Sequence, residues 1–197
     1  MKLLKLIKKE HDIKAGKRCD FMKPTVTESC LLEYENEIIG FYLTELPDKL
    51  KQYITIANKE FLSKNVPKTL LDRSDVYASQ KKYGLTRTQA RALSTVQMST
   101  ILGGVLAKAH LRRPYNSVSQ VHTNPKAKTF IKAMLLACLE CEKLIKEYMP
   151  KQYETQKKII EKTTLKKYRF GNLFTSSISN YNIAAPFHQD KGNLKNT

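Results

Sequence analysis

The sequence lacks any run of about 18 apolar residues, the length that a membrane-spanning helix requires. Its N-terminus alternates between basic and apolar side chains, without the continuous apolar stretch and small-residue cleavage site of a signal peptide. Internal repeats, low-complexity tracts and linkers rich in proline or glycine are also missing. We therefore expect one domain over residues 1–197, located in the cytoplasm and without a membrane partner.

Cysteine is scarce and is not arranged for metal binding. The four cysteines are Cys19, Cys30, Cys138 and Cys141, and the last two form a CxxC pair inside an amphipathic helix pattern. A structural zinc site needs further ligands, and neither a second cysteine pair nor a nearby histidine supplies them. We expect reduced thiols that are buried or half-buried.

Acidic residues are few relative to basic ones. The chain has 35 lysines and arginines against 18 aspartates and glutamates, a formal net charge of +17. A nucleic-acid partner explains this excess, because each phosphate that a cation neutralises releases counterions. The alternative is that the charge only aids solubility.

The spacing of apolar residues predicts an α+β fold. The predicted elements are a hairpin of strands 30–34 and 38–43, a helix that opens at Pro47-Asp48, helices over about 126–148 and 152–162, and two short strands from residue 168 onward. Pro150 separates the last two helices, and Gly103-Gly104 breaks an apolar segment. On the last helix we expect Ile159 and Ile160 to be buried. The helices of residues 126–165 should pack on a sheet that includes residues 168–190.

An H-x-D motif lies at His188-Gln189-Asp190. On a strand, alternate side chains share a face, so His188 and Asp190 would point the same way. Such a pair supplies two ligands of the 2-His-1-carboxylate triad that holds Fe(II). The motif alone is a weak signal, since ordinary residue usage produces it by chance in roughly one such chain in five. The alternative is a polar surface turn.

A longer stretch around the motif resembles a known family. Phe174–Asn182 and Pro186–Asn193 resemble the first core strands of TET/JBP-like Fe(II)- and 2-oxoglutarate-dependent dioxygenases, especially those of phages and bacteria. Upstream, Val66-Pro67-Lys68, Leu111–Tyr115 and Phe170–Phe174 resemble landmarks of the same family. The resemblance covers most of the chain, and its specific part is its C-terminal segment.

The resemblance implies both a fold and a metal site. The expected fold is a set of helices packed on the first strands of a double-stranded β-helix, or jelly roll. Residues 1–165 would form the mostly helical part, and residues 166–197 the first core strands. His188 and Asp190 would bind Fe(II), with 2-oxoglutarate as the co-substrate.

The resemblance also implies a reaction and a substrate. These enzymes couple the oxidative decarboxylation of 2-oxoglutarate to hydroxylation of a base, here a methyl group of a pyrimidine in DNA, with RNA as the other option. Asn180 and Asn182 would face the co-substrate or the base. Lys68, Arg112 and Arg113, in basic stretches of the chain, would contact the nucleic-acid backbone.

The sequence departs from the family pattern after Asp190. The family places a second histidine ligand, and an arginine that pairs with 2-oxoglutarate, on strands further downstream, but the seven residues that follow Asp190 include neither. The cluster of His110 with Arg112 and Arg113 does not lie in a context typical of a β-core strand. We expect a truncated or split oxygenase domain, with a second polypeptide as one source of the missing histidine and arginine. The alternative is a non-catalytic, basic nucleic-acid-binding protein descended from such an oxygenase.

We predict that the purified 197-residue chain does not turn over 2-oxoglutarate. Turnover needs a triad-bound iron and a bidentate anchor for the co-substrate carboxylate, and the sequence supplies two ligands and no recognisable anchor. The measurement is succinate formation with Fe(II), ascorbate and thymine-containing or methylated DNA. Turnover above the metal-only background that disappears in His188→Ala would contradict incompleteness and support the family.

Overall fold

The structure, a computed structural model, describes part of the chain: residues 1–7, 26–70, 81, 84, 86, 89, 98–105 and 116–181. These residues belong to two compact units that divide between Thr44 and Glu45. The fold is mixed α+β, as predicted, with small sheets and three helices that are described over their whole length. None of the helices in this part of the chain combines the length and the apolar character that a membrane-spanning segment requires.

The first unit contains a three-stranded sheet. Its strands are β1 (Lys2–Lys5), β2 (Cys30–Tyr34) and β3 (Glu37–Tyr42), in the order β1-β2-β3. β1 runs parallel to β2, and β2 runs antiparallel to β3. Glu35 and Asn36 connect β2 to β3 with φ values of 50° and 62°. Two central residues with positive φ suit the twist of a tight hairpin, so the predicted hairpin is confirmed.

The second unit contains a four-stranded sheet built around one long strand. Its strands are β4 (Thr69–Leu70), β5 (Met98–Val105), β6 (Ser117–Val118) and β7 (Ser176–Tyr181). Each of the other three strands pairs with β5 in the antiparallel sense. β7 makes the longest pairing, from Met98 opposite Tyr181 to Gly103 opposite Ser176. β5 therefore determines where β7 lies.

Three α-helices accompany this sheet: α1 (Asp48–Leu62), α2 (Lys128–Tyr148) and α3 (Pro150–Thr163). A short 3-10 turn precedes α2, and the Asn124 side chain accepts a hydrogen bond of 2.9 Å from the backbone N–H of Lys126 within it. Pro150 opens α3, where its missing N–H removes no helical hydrogen bond. The predicted helices over 126–148 and 152–162, and their separation at Pro150, are confirmed.

The core of the second unit lies between the helices and the sheet. Phe61 of α1 stacks on Phe130 of α2, with ring centroids 5.8 Å apart. The buried cluster comprises Ala57, Phe61, Val66, Leu102, Val121, Ala127, Phe130, Ala133 and Phe170. Met98 of β5 and Tyr181 of β7 pack against this cluster. The predicted packing of the helices on a sheet is confirmed for Ser176–Tyr181, and residues 182–190 lie outside the described part of the chain.

Ile159 and Ile178 of the second unit face solvent. Ile160 of α3 is buried as predicted, but Ile159 is 44% exposed, because adjacent helical residues point about 100° apart. On β7, the side chains of Ser177, Ser179 and Tyr181 are half-buried, whereas Ile178 is 59% exposed. The two-residue period of a strand places Ile178 on the outer face, opposite the exposed Ile101 of β5.

The sequence suggested that Gly103 and Gly104 break an apolar segment. This is wrong, because both residues lie inside β5. The backbone N–H of Gly104 donates a 2.7 Å hydrogen bond to the carbonyl oxygen of Thr175. A Cβ on Gly103 would lie 2.6 Å from that same oxygen, and Gly103 has a φ of +80°. The pair is therefore required for the close approach of two backbone segments, which only glycine allows.

We predict that Gly104→Ala lowers the free energy of unfolding by about 1–3 kcal/mol, because the new Cβ overpacks a full core. It would lie 2.5 Å from the backbone oxygen of Tyr168, which has little freedom to move. Denaturant unfolding measures the change. The control is Gly40→Ala in β3, whose Cβ would meet the mobile tip of Leu32 at 3.3 Å. Equal stability of the two variants would contradict the close approach.

Candidate functional site

Most of the predicted site residues lie outside the described part of the chain. This applies to His188, Asp190 and Asn182, and also to Arg112 and Arg113. Their roles stay predictions. The structure instead describes the strand that leads towards the H-x-D motif, the turn before that strand, and the surroundings of the two remaining predicted residues.

Asn180 lies on the exposed face of β7. Its side-chain oxygen accepts a 2.8 Å hydrogen bond from the hydroxyl of Ser99, its cross-strand partner on β5. This hydrogen bond orients the amide group on the outer face of the sheet, next to the exposed pair Ile101 and Ile178. The proposed contact of Asn180 with the co-substrate or base is untested by this arrangement.

A buried carboxylate, which sequence reasoning missed, holds the turn before β7. Glu142 of α2 is 3% exposed, and its Oε1 accepts hydrogen bonds from the backbone N–H groups of Asn172 (2.6 Å) and Leu173 (3.0 Å). Its Oε2 accepts a third, of 2.7 Å, from the side-chain amide of Asn172. Charged acceptors make stronger hydrogen bonds than neutral ones, so this carboxylate binds the turn firmly to α2.

The turn itself is shaped to receive the carboxylate. The N–H of Phe170 donates a 2.7 Å hydrogen bond to the carbonyl of Phe174, which closes the turn. Between them Gly171 has a φ of +74°, and a Cβ on this residue would collide with the Glu142 carboxylate. The sequence did contain a signal: Glu142 lies four residues after Cys138 and three before Ile145, so it occupies a charged position on the apolar stripe of α2.

The CxxC pair is held as protonated thiols. Cys138 Sγ lies 3.7 Å from Glu142 Oε1 and 3.7 Å from the carbonyl oxygen of Phe170. Burial, followed by the charge of Glu142, raises the pKa of Cys138 to about 12. Burial also raises the pKa of Cys141. Because the thiolate is the form that binds metals and attacks electrophiles, a raised pKa disfavours both reactions. The predicted half-burial of these two cysteines is confirmed.

Lys68 caps the C-terminal end of α1. Its ammonium donates hydrogen bonds to the carbonyl oxygens of Phe61 and, at 2.6 Å, Ser63, and lies 5.4 Å from the centroid of the Phe61 ring. Burial lowers the pKa of this lysine. A cation here satisfies carbonyl groups that the helix end leaves free. The role of Lys68 in nucleic-acid binding stays a prediction.

The described residues do not contain a group of three or more His, Cys, Asp or Glu side chains that could hold a metal ion. His188 and Asp190 lie outside that part of the chain, so iron binding at the H-x-D motif stays a prediction from ligand type, an imidazole and a carboxylate being ligands that non-haem Fe(II) sites use. Comparison of the whole chain with protein-family models, with curated proteins and with solved structures finds no match. The resemblance to TET/JBP-like oxygenases stays a prediction that depends on the sequence motifs alone.

We predict that the hydrogen bond between the side chains of Glu142 and Asn172 can be rebuilt with its donor and acceptor exchanged. Glu142→Gln places an amide N–H₂ against the amide of Asn172, and Asn172→Asp places two carboxylates together. Asn172→Asp should cost about 1–3 kcal/mol of unfolding free energy, because the buried Glu142 carboxylate loses a donor and faces a second carboxylate. Glu142→Gln should cost less, because the Asn172 amide can turn over and present its oxygen to the new N–H₂ group. The double variant restores a donor opposite an acceptor and should recover much of that loss.

Denaturant unfolding of the four proteins forms a double-mutant cycle, which isolates the pairwise coupling. Glu154→Gln, at an exposed position of α3, is the control and should change stability by less than about 0.5 kcal/mol. Strictly additive effects of the two single changes would show that the observed contact does not stabilise the turn.

Proposed function

We propose that this chain is part of an Fe(II)- and 2-oxoglutarate-dependent oxygenase of the TET/JBP-like kind, which hydroxylates a methyl group of a pyrimidine base in DNA. The observation that carries the proposal is the motif His188-Gln189-Asp190 together with the sequence around it. The motif begins seven residues after the end of β7. His188 and Asp190 would supply two of the three iron ligands.

The fold supports this proposal in its general form. α2 packs on one face of an antiparallel sheet, and β7 is the strand of that sheet nearest in sequence to the motif. Antiparallel strands are the building blocks of a jelly roll, in which β7 would be an early core strand. Glu142 would then position the start of β7, and Asn180 would be ordered on the outer face of the sheet.

The chemistry would be divided between the cofactors and the protein. When bound, Fe(II) and 2-oxoglutarate would activate O₂, which is the oxidant and is consumed with 2-oxoglutarate to give succinate, CO₂ and the hydroxylated base, and the protein would supply orientation. Two ligands bind a metal less firmly than three, and a second histidine ligand and an arginine anchor would complete the site. A base in a duplex must also leave the helical stack to reach the metal.

One alternative function has specific support. A net charge of +17 fits a non-catalytic protein that binds nucleic acid, in which His188 and Asp190 would have no metal to hold. Both functions include contact with nucleic acid, so DNA binding does not separate them. Iron binding at the motif does, because only the oxygenase needs it.

We predict that Fe(II) with ascorbate and hydrogen peroxide cleaves the purified chain close to residues 188–190, since bound iron generates radicals that cut the nearest backbone. Mass spectrometry of the fragments locates the cuts. His188→Ala and Asp190→Ala should each abolish this cleavage. The control is His122→Ala, which removes a half-buried histidine and should leave the pattern unchanged. Cleavage that persists in both motif variants would exclude an iron site at this position.

A further inference from the structure

The end of α3 and the turn after it carry a concentrated positive charge. Residues 157–169 contain six lysines and arginines and a single acidic residue, a formal net charge of +5. Four of these lysines have exposed side chains: Lys158, Lys162, Lys166 and Lys167. We refer to these four residues as the basic ridge.

The ridge follows from helical geometry. Lys158 and Lys162 are one turn apart on α3, so their side chains point within about 40° of each other and are separated by about 6 Å along the axis. Lys166 and Lys167 continue the series on the 3-10 turn that follows α3. The exposed Glu161 lies three residues from Lys158 and is the acidic side chain within this segment.

The ridge lysines are not used to hold the fold together. None of the four forms an ion pair with another described residue, and Lys167 makes only a cation–π contact, 5.0 Å from the centroid of the Tyr168 ring. Arg169 provides the contrast. Its Nε donates a 2.8 Å hydrogen bond to the carbonyl of Thr164, and its Nη2 a 3.3 Å hydrogen bond to that of Glu161, so it caps the end of α3.

We propose that the basic ridge binds the phosphate backbone of duplex DNA. Duplex DNA carries one negative charge per about 1.7 Å of its axis, so the two lysines of α3, about 6 Å apart, and the two on the turn that follows have phosphates within reach. Proteins that grip single strands add aromatic platforms for the bases, whereas the aromatic neighbours Tyr153 and Tyr168 are half-buried rather than exposed. The ridge therefore contacts the backbone and does not read sequence.

This inference takes DNA as the partner from the proposed function but does not require iron. Binding through the ridge should be unchanged in EDTA, and it should be unchanged in His188→Ala. If DNA binding does not depend on the ridge lysines but Fe(II) still cleaves the chain near residues 188–190, this inference alone is rejected. If the ridge lysines bind DNA but Fe(II) does not cleave the chain there, the oxygenase proposal alone is rejected.

The test compares two variants of equal net charge. The first replaces the four ridge lysines by glutamine. The second replaces four exposed lysines on and just after α1, Lys49, Lys51, Lys59 and Lys64. Fluorescence anisotropy with a labelled DNA duplex is recorded in EDTA between roughly 50 and 200 mM salt, where the log–log slope is about −0.9 per phosphate contacted.

We expect the slope of the ridge variant to be shallower than that of the unmodified chain by about 3–4, so that the unmodified chain loses about 100-fold more affinity over this salt range. The α1 variant should keep the original slope within about 1 unit. Equal losses in both variants would show diffuse attraction by net charge and overturn the proposal. An unchanged slope in the ridge variant would overturn it as well.

A second measurement requires no variant. Acetylation of the unmodified chain, with and without duplex, followed by mass spectrometry, should show DNA-dependent protection of Lys158, Lys162, Lys166 and Lys167 but not of the α1 lysines. Protection by a single strand and not by a duplex, or by anionic phospholipid vesicles and not by DNA, would assign the ridge to a different partner and overturn the proposal.

Discussion

The described part of the candidate site depends on the hydrogen bonds that the buried carboxylate of Glu142 accepts from Asn172 and Leu173. This carboxylate joins α2 to the turn that Phe170 and Phe174 close, 30 residues further along the chain. Because the carboxylate is withdrawn from water, it must be satisfied inside the protein, and three N–H donors do so. Gly171 leaves the space that the carboxylate fills. The turn ends just before β7, so this contact sets the start of the strand that precedes the H-x-D motif.

β7 can pair with β5 because the backbone of β5 and the backbone before β7 approach closely. At Gly103 and Gly104 there is no side chain to separate β5 from Thr175 or Tyr168. On the inner face of β7, the small side chains of Ser177 and Ser179 alternate with outward residues, and the Ser179 hydroxyl lies 4.0 Å from the sulfur of Met134 on α2. Small inward residues let the helix lie against the sheet, which leaves Ile178 on the outside. Packing, rather than hydrophobicity of each residue, decides which face is buried.

The two proposals concern different parts of the chain. The oxygenase proposal concerns β7 and the motif beyond it, where donor types suit Fe(II). The DNA proposal concerns the basic ridge of α3, where the cations remain in solvent. Exposed cations attract a polyanion at little desolvation cost, whereas metal ligands need neighbours that orient them. The two proposals therefore depend on different residues, and an experiment can reject one without the other.

Local patterns in the sequence determined the helix over 126–148, its end before Pro150, and the hairpin at Glu35 and Asn36, because each depends on residues that are close along the chain. The H-x-D motif is also a sequence observation, and it carries the functional hypothesis. Only the tertiary structure decided that Glu142 binds a turn 30 residues away, that Gly103 and Gly104 lie within a strand, and that Ile159 faces solvent. Those features depend on which segments, distant along the chain, pack against one another. A periodic pattern states which face of an element is apolar, but not which partner that face will meet.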